Sequence, residues 1–340
     1  MRKSRLKHNL VKFGLTGLLR FLNKNPRVIF YHGVDFAESI NSLHINPDIF
    51  EQQMIFLLKH YEIISIHEYE NRFRTNRFTG REIVVTFDDG YKNNLTLAAP
   101  ILKSLNIPFT VFVSTNHIGS GDYFPTAIAR IIIRYSNLSF LKIDCLKYSV
   151  TLKDSKQREK VCEAILRVLK CCNIQLVNEI CNQLIANVSP DEYEELCHIH
   201  KMETPMNWTD VIKLHTEYDC TIGSHCKDHF ICNIYQTEED IREQLQGSKQ
   251  IIEEKLHTSC DFLAYPNGIY RKGDITNYAL TTAAEVGYKL AFTTVQDRLK
   301  SNTNAMLMPR CAARFEMDDF ITKLVLKPNF FKKKKASKYL

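Results

Sequence analysis

The chain has 340 residues and a mass of 39.6 kDa, a length that suits either one large α/β barrel or two ordinary domains. Hydrophobic residues make up 44% and charged residues 24%, with only 12 Gly and 10 Pro, so disorder of the whole chain is excluded. The net charge of +7 resides in the ends: residues 1–27 hold eight Lys/Arg and residues 327–340 hold six, neither with an acid, which leaves 31 bases against 38 acids between them. An acidic body argues against a nucleic-acid-binding core, and basic ends suit either an anionic lipid surface or simple solvation.

Residues 1–26 are expected to be a basic amphipathic N-terminal helix. Within 6–22, Leu6, Leu10, Leu15, Leu18, Leu19 and Leu22 fall near one face, with Lys3, Lys7, Lys12 and Arg20 among and before them. Such a helix lies on a membrane or docks on the protein itself. The apolar run Phe13 to Leu22 carries Arg20 and is far shorter than the roughly 18 residues that span a bilayer, so neither a transmembrane helix nor a cleaved signal peptide is expected.

From residue 27, short β-rich runs alternate with longer helical stretches, the signature of a mostly parallel α/β architecture. The runs are Arg27–Tyr31, Ile83–Phe87, Phe109–Val113, Cys220–Ile222, Phe262–Tyr265, Leu290–Thr294 and Ala305–Met308. Between them the patterning predicts helices over Pro47–His60, Lys92–Leu105, Trp208–His215, Glu238–Leu256 and Ile275–Val286, the first opened by Asn46 as N-cap and Pro47 at the first helical position. Seven strands suggest a barrel, built from 27–116 and 206–320. Residues 117–205 break the rhythm with helical stretches such as Val161–Leu169 and Ile180–Ile185 and are expected to be a lid-like insertion; 321–340 is a basic tail containing Lys332–Lys335.

Eleven cysteines are scattered without repeated CxxC spacing, and Cys171 and Cys172 are adjacent, which is unlike a secreted disulfide framework. A reducing, cytoplasmic compartment is expected, with possible peripheral contact at the inner membrane face.

In parallel α/β folds the chemistry sits just past the C-terminal ends of strands. Four such ends here are polar: His32-Gly33, Asp88-Asp89-Gly90, Gly223-Ser224-His225-Cys226-Lys227-Asp228-His229 and Pro266-Asn267-Gly268. Asp89, His225 and His229 would form an open two-histidine, one-carboxylate metal site, the i, i+4 histidines presenting both imidazoles if their segment takes a helical turn. Zinc is preferred, and iron, cobalt, nickel or manganese suits the same donors. Alone, such a histidine pair or an Asp-Asp-Gly turn is weak; their placement on one rim is what carries the reading. Asp88 is then either a base beside the cation or a partner that orients a ligand.

Thr86-Phe87-Asp88-Asp89-Gly90, the His225…His229 pair after Ile222-Gly223-Ser224, and Phe262-Leu263-Ala264-Tyr265-Pro266-Asn267-Gly268 resemble the first three signature motifs of the polysaccharide deacetylases, the NodB-homology domain of carbohydrate esterase family four. The resemblance covers 27–116 and 206–315 and includes the Tyr31-His32-Gly33 opening of exopolysaccharide-pathway members. It implies a distorted (β/α)7 barrel and removal of acetyl groups from sugars by a metal-activated water. By motif, Asp88 resembles the catalytic base, Asp89, His225 and His229 the metal ligands, and the Asn267 N–H the donor to the oxyanion. An N-acetylated amino sugar is the implied substrate.

This sequence departs from the family pattern in three places. Ala264 stands where the family usually has the Arg that orients the base, and Arg310, placed after the last strand run, is the candidate replacement. Cys226 stands where Ser or Thr is usual. The late Leu-x-His motif that supplies a general acid is missing, since no histidine follows His257, which leaves His32 as candidate donor or as a buried structural residue. Tyr265, Pro266, Tyr123 and Trp208 are candidate substrate contacts, with Phe124 and Tyr270 as further rings, although aromatics of this kind also serve as plain core. A metal-containing glycan-binding barrel without turnover, and an amidohydrolase of another small C–N substrate, are the alternatives.

Overall fold

The computed structural model describes residues 15–22, 24–37 and 43–326. Seven parallel strands, β1 (Arg27–Tyr31), β2 (Glu82–Phe87), β3 (Phe109–Val113), β4 (Thr221–Ser224), β5 (Phe262–Ala264), β6 (Leu290–Phe292) and β7 (Arg310–Ala312), are ordered β6-β5-β4-β3-β2-β1-β7. A parallel bridge between Phe292 and Met308 links the two edges, so the sheet is a nearly closed (β/α)7 barrel.

Alternation along each strand separates two apolar layers. Val28, Val84, Phe112, Phe262, Ala264, Phe292 and Met308 pack together in one cluster, the barrel interior. Ile29, Tyr31, Ile83, Val85, Phe87, Val111 and Leu263 join the larger cluster that the surrounding helices cover. Helix Pro47–His60 begins at Asn46, whose side chain accepts the Asp48 N–H at 2.9 Å.

Three expectations need correction. The last strand is Arg310–Ala312, because Ala305–Leu307 forms a 3-10 turn capped by Asn304 and Pro309 delays the strand; Arg310 therefore lies inside the barrel wall. The stretch 92–105 is an α-helix only over Ala99–Ser104, preceded by a π turn at Asn94–Ala98, since Pro100 has no N–H for the α ladder. Residues 225–229 form a turn with Cys226 (φ 61°) and His229 (φ 51°) left-handed, not a helical turn.

Within 117–205, helices Pro125–Tyr135, Ser155–Leu169, Ile174–Ala186 and Pro190–Ile199 enclose a separate apolar core, together with an antiparallel hairpin, Phe140–Ile143 with Tyr148–Thr151, that helical patterning hid. Of the N-terminal helix, Leu15–Leu22 is described and packs against helix Met317–Val325; residues 1–14, and 327–340 of the basic tail, lie outside the described residues. Among the described residues no helix is long and apolar enough to cross a membrane.

Candidate metal centre and active site

Three strand ends build the centre. After β2, the Asp88 N–H bonds the Tyr31 carbonyl (2.9 Å), and Asp89 (φ 73°) and Gly90 (φ 81°) then turn left-handed. Gly90 is required there, since a Cβ would come within 3.0 Å of the Val113 side chain. After β4, the His225 N–H bonds the Val113 carbonyl (2.8 Å) and the Ser114 hydroxyl donates to the His225 carbonyl (2.9 Å), locking the loop to the neighbouring strand.

Asp89, His225 and His229 each offer a ligand atom, and those atoms lie within 4.8 Å of one another. Both imidazole Nε2 atoms are 3.3 Å from Asp89 Oδ1. His225 Nδ1 lies 2.6 Å from the Ala264 carbonyl, which can only accept, so this nitrogen carries the proton and Nε2 turns its lone pair to Asp89. Asp89 Oδ1 is buried with no hydrogen-bond partner. Lone pairs facing a carboxylate oxygen repel unless a cation lies between them, and an N2O donor set with open positions fits a divalent transition ion.

Asp88 is buried beside this set and is gripped by Arg310, whose Nη1 and Nη2 donate to its two carboxylate oxygens at 2.6 and 2.7 Å. The guanidinium also donates to the Thr293 carbonyl (3.1 Å) and lies over the Phe30 ring, 4.5 Å from its centroid. Burial raises the Asp88 pKa, but the Arg310 charge foremost brings it below the usual carboxylate value. Ala264 contributes only its carbonyl.

His32 lines the cavity above these groups, its carbonyl accepting from Asn94 Nδ2 at 2.8 Å. Burial lowers its imidazole pKa against the pull of Asp89 and Asp88. Asn267 (φ 59°) lines the same cavity, and among the described residues no hydrogen bond uses its backbone N–H. The cavity, of about 220 Å3, also has Phe124 in its wall, whose ring stands edge-on to His229 with centroids 5.3 Å apart.

The four suggested substrate contacts are not in that wall. Tyr265 is fully buried in the outer core, and Pro266 is buried beside it. Tyr123 sends its hydroxyl to the Cys197 carbonyl (2.8 Å), tying the insertion together, and Trp208 starts a barrel helix and packs on the core. Sequence reasoning missed Arg130 and Lys170, which line the cavity from the insertion. Nothing local in the sequence connects Arg130 or Lys170 with motifs that lie tens of residues away.

The chain matches the polysaccharide deacetylase family model over residues 75–134 and 147–291. It is 28% identical to a poly-beta-1,6-N-acetyl-D-glucosamine N-deacetylase of Staphylococcus epidermidis over 105 residues, 31% of this chain and 36% of that protein. A Staphylococcus aureus protein of the same name is 26% identical over 95 residues, 28% of this chain and 33% of its own length, so the match spans about a third of these relatives. Among solved structures, the deacetylase PplD of Streptococcus pyogenes superposes with TM-score 0.57 at 15% identity, and IcaB from Ammonifex degensii with 0.56 at 16%; each comparison covers 89% of this chain and 98% of the other. Those two share the fold. With the family model spanning more than half of its residues, the chain belongs to the polysaccharide deacetylase family.

Proposed function

We propose that this protein is a metal-dependent hydrolase that removes the N-acetyl group from an amino sugar of a cell-surface polysaccharide or its lipid-linked precursor. The observation that carries the reading is an ionised, Arg-clamped carboxylate, Asp88, held beside the Asp89, His225 and His229 set. The names of the staphylococcal relatives support poly-N-acetylglucosamine chemistry.

Asp89, His225 and His229 would hold a divalent ion, which when bound would supply Lewis acidity to the attacking water and the acetyl carbonyl. Asp88 draws the proton from the attacking water, and Arg310 holds both carboxylate oxygens so that the base keeps its charge and its direction. The Asn267 N–H donates to the oxygen that becomes negative as the carbonyl carbon turns tetrahedral. Collapse gives acetate and an amine: a His32 imidazolium, charged from solvent, donates its proton to the departing nitrogen, and Asp88 releases the proton it took to solvent. With no histidine after His257 to serve as a dedicated acid, turnover is expected to be slow. Acetate release from N-acetylglucosamine oligomers, with and without a chelator, tests the reading: chelation stops release and added zinc, cobalt or nickel restores it.

A glycan-binding barrel without turnover is the second reading, favoured by the missing late histidine. Bound metal without acetate release across a panel of N-acetylated sugars would establish it, whereas release from small amides alone would move the substrate outside the glycans.

We also propose peripheral contact with anionic lipid on the cytoplasmic side. Support comes from exposed Leu18, Phe21 and Leu22, and from Arg20, Lys24, Arg27, Lys59 and Arg81 around one hollow at the end of the barrel where the strands begin. The eleven cysteines, all unpaired, fit a reducing compartment. Co-sedimentation with anionic vesicles at low salt is expected, and protein left wholly in the supernatant would refute it.

A further inference from the structure

The cleft over the metal centre carries positive charge that amide hydrolysis leaves unused. Arg130, on helix Pro125–Tyr135, and Lys170, at the C-cap of helix Ser155–Leu169, reach the same cavity as Asp89, His229 and Asn267. Arg130 Nη1 donates to the Thr126 carbonyl at 3.0 Å, and Lys170 Nζ to Asn267 Oδ1 at 3.2 Å. Both acceptors are neutral, and among the described residues neither cation has a carboxylate within ion-pairing distance.

Three nearby carboxylates are already engaged, and the buried Glu203 carboxylate attracts Arg130 from beyond ion-pairing distance. Asp89 faces the two imidazoles; Asp228 accepts from Asn116 and from Gln244, each at 2.6 Å; Asp274 accepts from the Asn267 side chain at 2.7 Å and the Ile269 N–H at 2.8 Å. The cavity walls half-bury Arg130, while Lys170 stands at the open edge of the cavity. For Lys170 the next influence after desolvation is repulsion from Arg130, and Asp274 does not cancel it; for Arg130, the attraction of the Glu203 carboxylate does not offset burial. Two like charges lining one cavity repel each other until an anion lies between them. Arg offers forked donors suited to oxyanions, and Lys adds a mobile point charge.

We propose that the cleft binds an N-acetylated sugar that itself carries an anionic group, a phosphate ester or a carboxylate, held between Arg130 and Lys170. This deepens the deacetylase reading and rests on it. Because Lys170 is bonded to the side chain of Asn267, whose N–H serves the acetyl oxygen, the anion sits on the sugar being deacetylated or on its immediate neighbour. Both cations come from the insertion, so the insertion selects the substrate while the barrel carries the chemistry.

The test compares the full-length, metal-loaded protein with Arg130→Gln, Lys170→Gln and the double variant. Acetate release is measured on N-acetylglucosamine 1-phosphate, on a disaccharide of N-acetylglucosamine and a hexuronic acid, and on a neutral N-acetylglucosamine oligomer. Binding of the same three sugars to Asp88→Asn is followed by calorimetry at low and high salt. An anionic sugar should surpass the neutral one in kcat/KM, and that ratio should fall about tenfold in each single variant, mainly through KM, as expected for one charge-assisted contact. Binding of that sugar to Asp88→Asn should weaken with salt, and the better of the two anionic sugars identifies the anion.

A neutral oligomer that matches or exceeds both anionic sugars overturns the proposal. So does an equal loss on every substrate in the variants, which would mark the two cations as fasteners between insertion and barrel. Acetate release from no sugar removes the deacetylase reading, whereas salt-sensitive binding to Asp88→Asn still reports on the anion site alone.

Discussion

At the scale of single residues the fold places its costliest groups around Asp88. Removing the Arg310 guanidinium leaves a buried carboxylate uncompensated, so Arg310→Met should destabilise the protein by about 3–5 kcal/mol in denaturant titrations. Arg310→Met with Asp88→Asn should recover part of that loss. Asp88→Asn alone should lower acetate release by at least about a hundredfold while leaving bound metal nearly unchanged, and it should lower the melting temperature because the buried Arg310 guanidinium then lacks its counter-charge. A second buried group sets a pH dependence. His44 is buried against Tyr91, accepts from Asn93 Nδ2 at 3.3 Å, and has its pKa lowered to about 4, first by burial and then by His32. The unfolded imidazole, near 6.5, binds its proton more readily, so His44 contributes full stability above that value and loses it as pH falls towards 4. Between pH 6.5 and 4 the unfolding free energy of the wild type should drop by about 3 kcal/mol more than that of His44→Gln.

At the scale of elements, the strand ends govern the geometry. Gly223 in β4 leaves no room for a side chain: a Cβ would lie 2.5 Å from the Phe112 ring and 3.0 Å from the Phe262 carbonyl. Gly223→Ala should therefore cost about 1–3 kcal/mol and, two residues before His225, weaken metal binding measurably in a competition titration. Most strands were legible because β-branched and aromatic runs ended at polar, glycine-containing turns; β3 was read to the residue. The error at β7 arose where Ala305–Met308 is apolar enough for a strand while Asn304 and Pro309 favour a turn and a delayed start. The same error kept Arg310 off the strand that aims it inward. The histidine pair was found by its spacing, but its convergence comes from left-handed residues at 226 and 229, which no spacing rule encodes.

For the whole molecule, the barrel and the three-motif rim could be read from local pattern, whereas the cavity could not, because its wall joins residues far apart in the chain. Phe124, Arg130 and Lys170 belong to an insertion with its own core, and the Asn233 amide fastens that insertion to the barrel by donating to the Lys170 carbonyl at 3.0 Å. Of the suggested contacts chosen for ring chemistry, Tyr123 is buried with its hydroxyl on the Cys197 carbonyl, and the half-buried Trp208 packs on the barrel core. The most direct measurement is metal stoichiometry with X-ray absorption on the purified protein reconstituted with zinc, alongside Asp89→Asn and His229→Gln. The account predicts one ion per chain in a nitrogen- and oxygen-only shell containing two imidazoles, with affinity reduced at least about tenfold in either variant. Undiminished binding in both variants, or a shell containing sulfur, would contradict it.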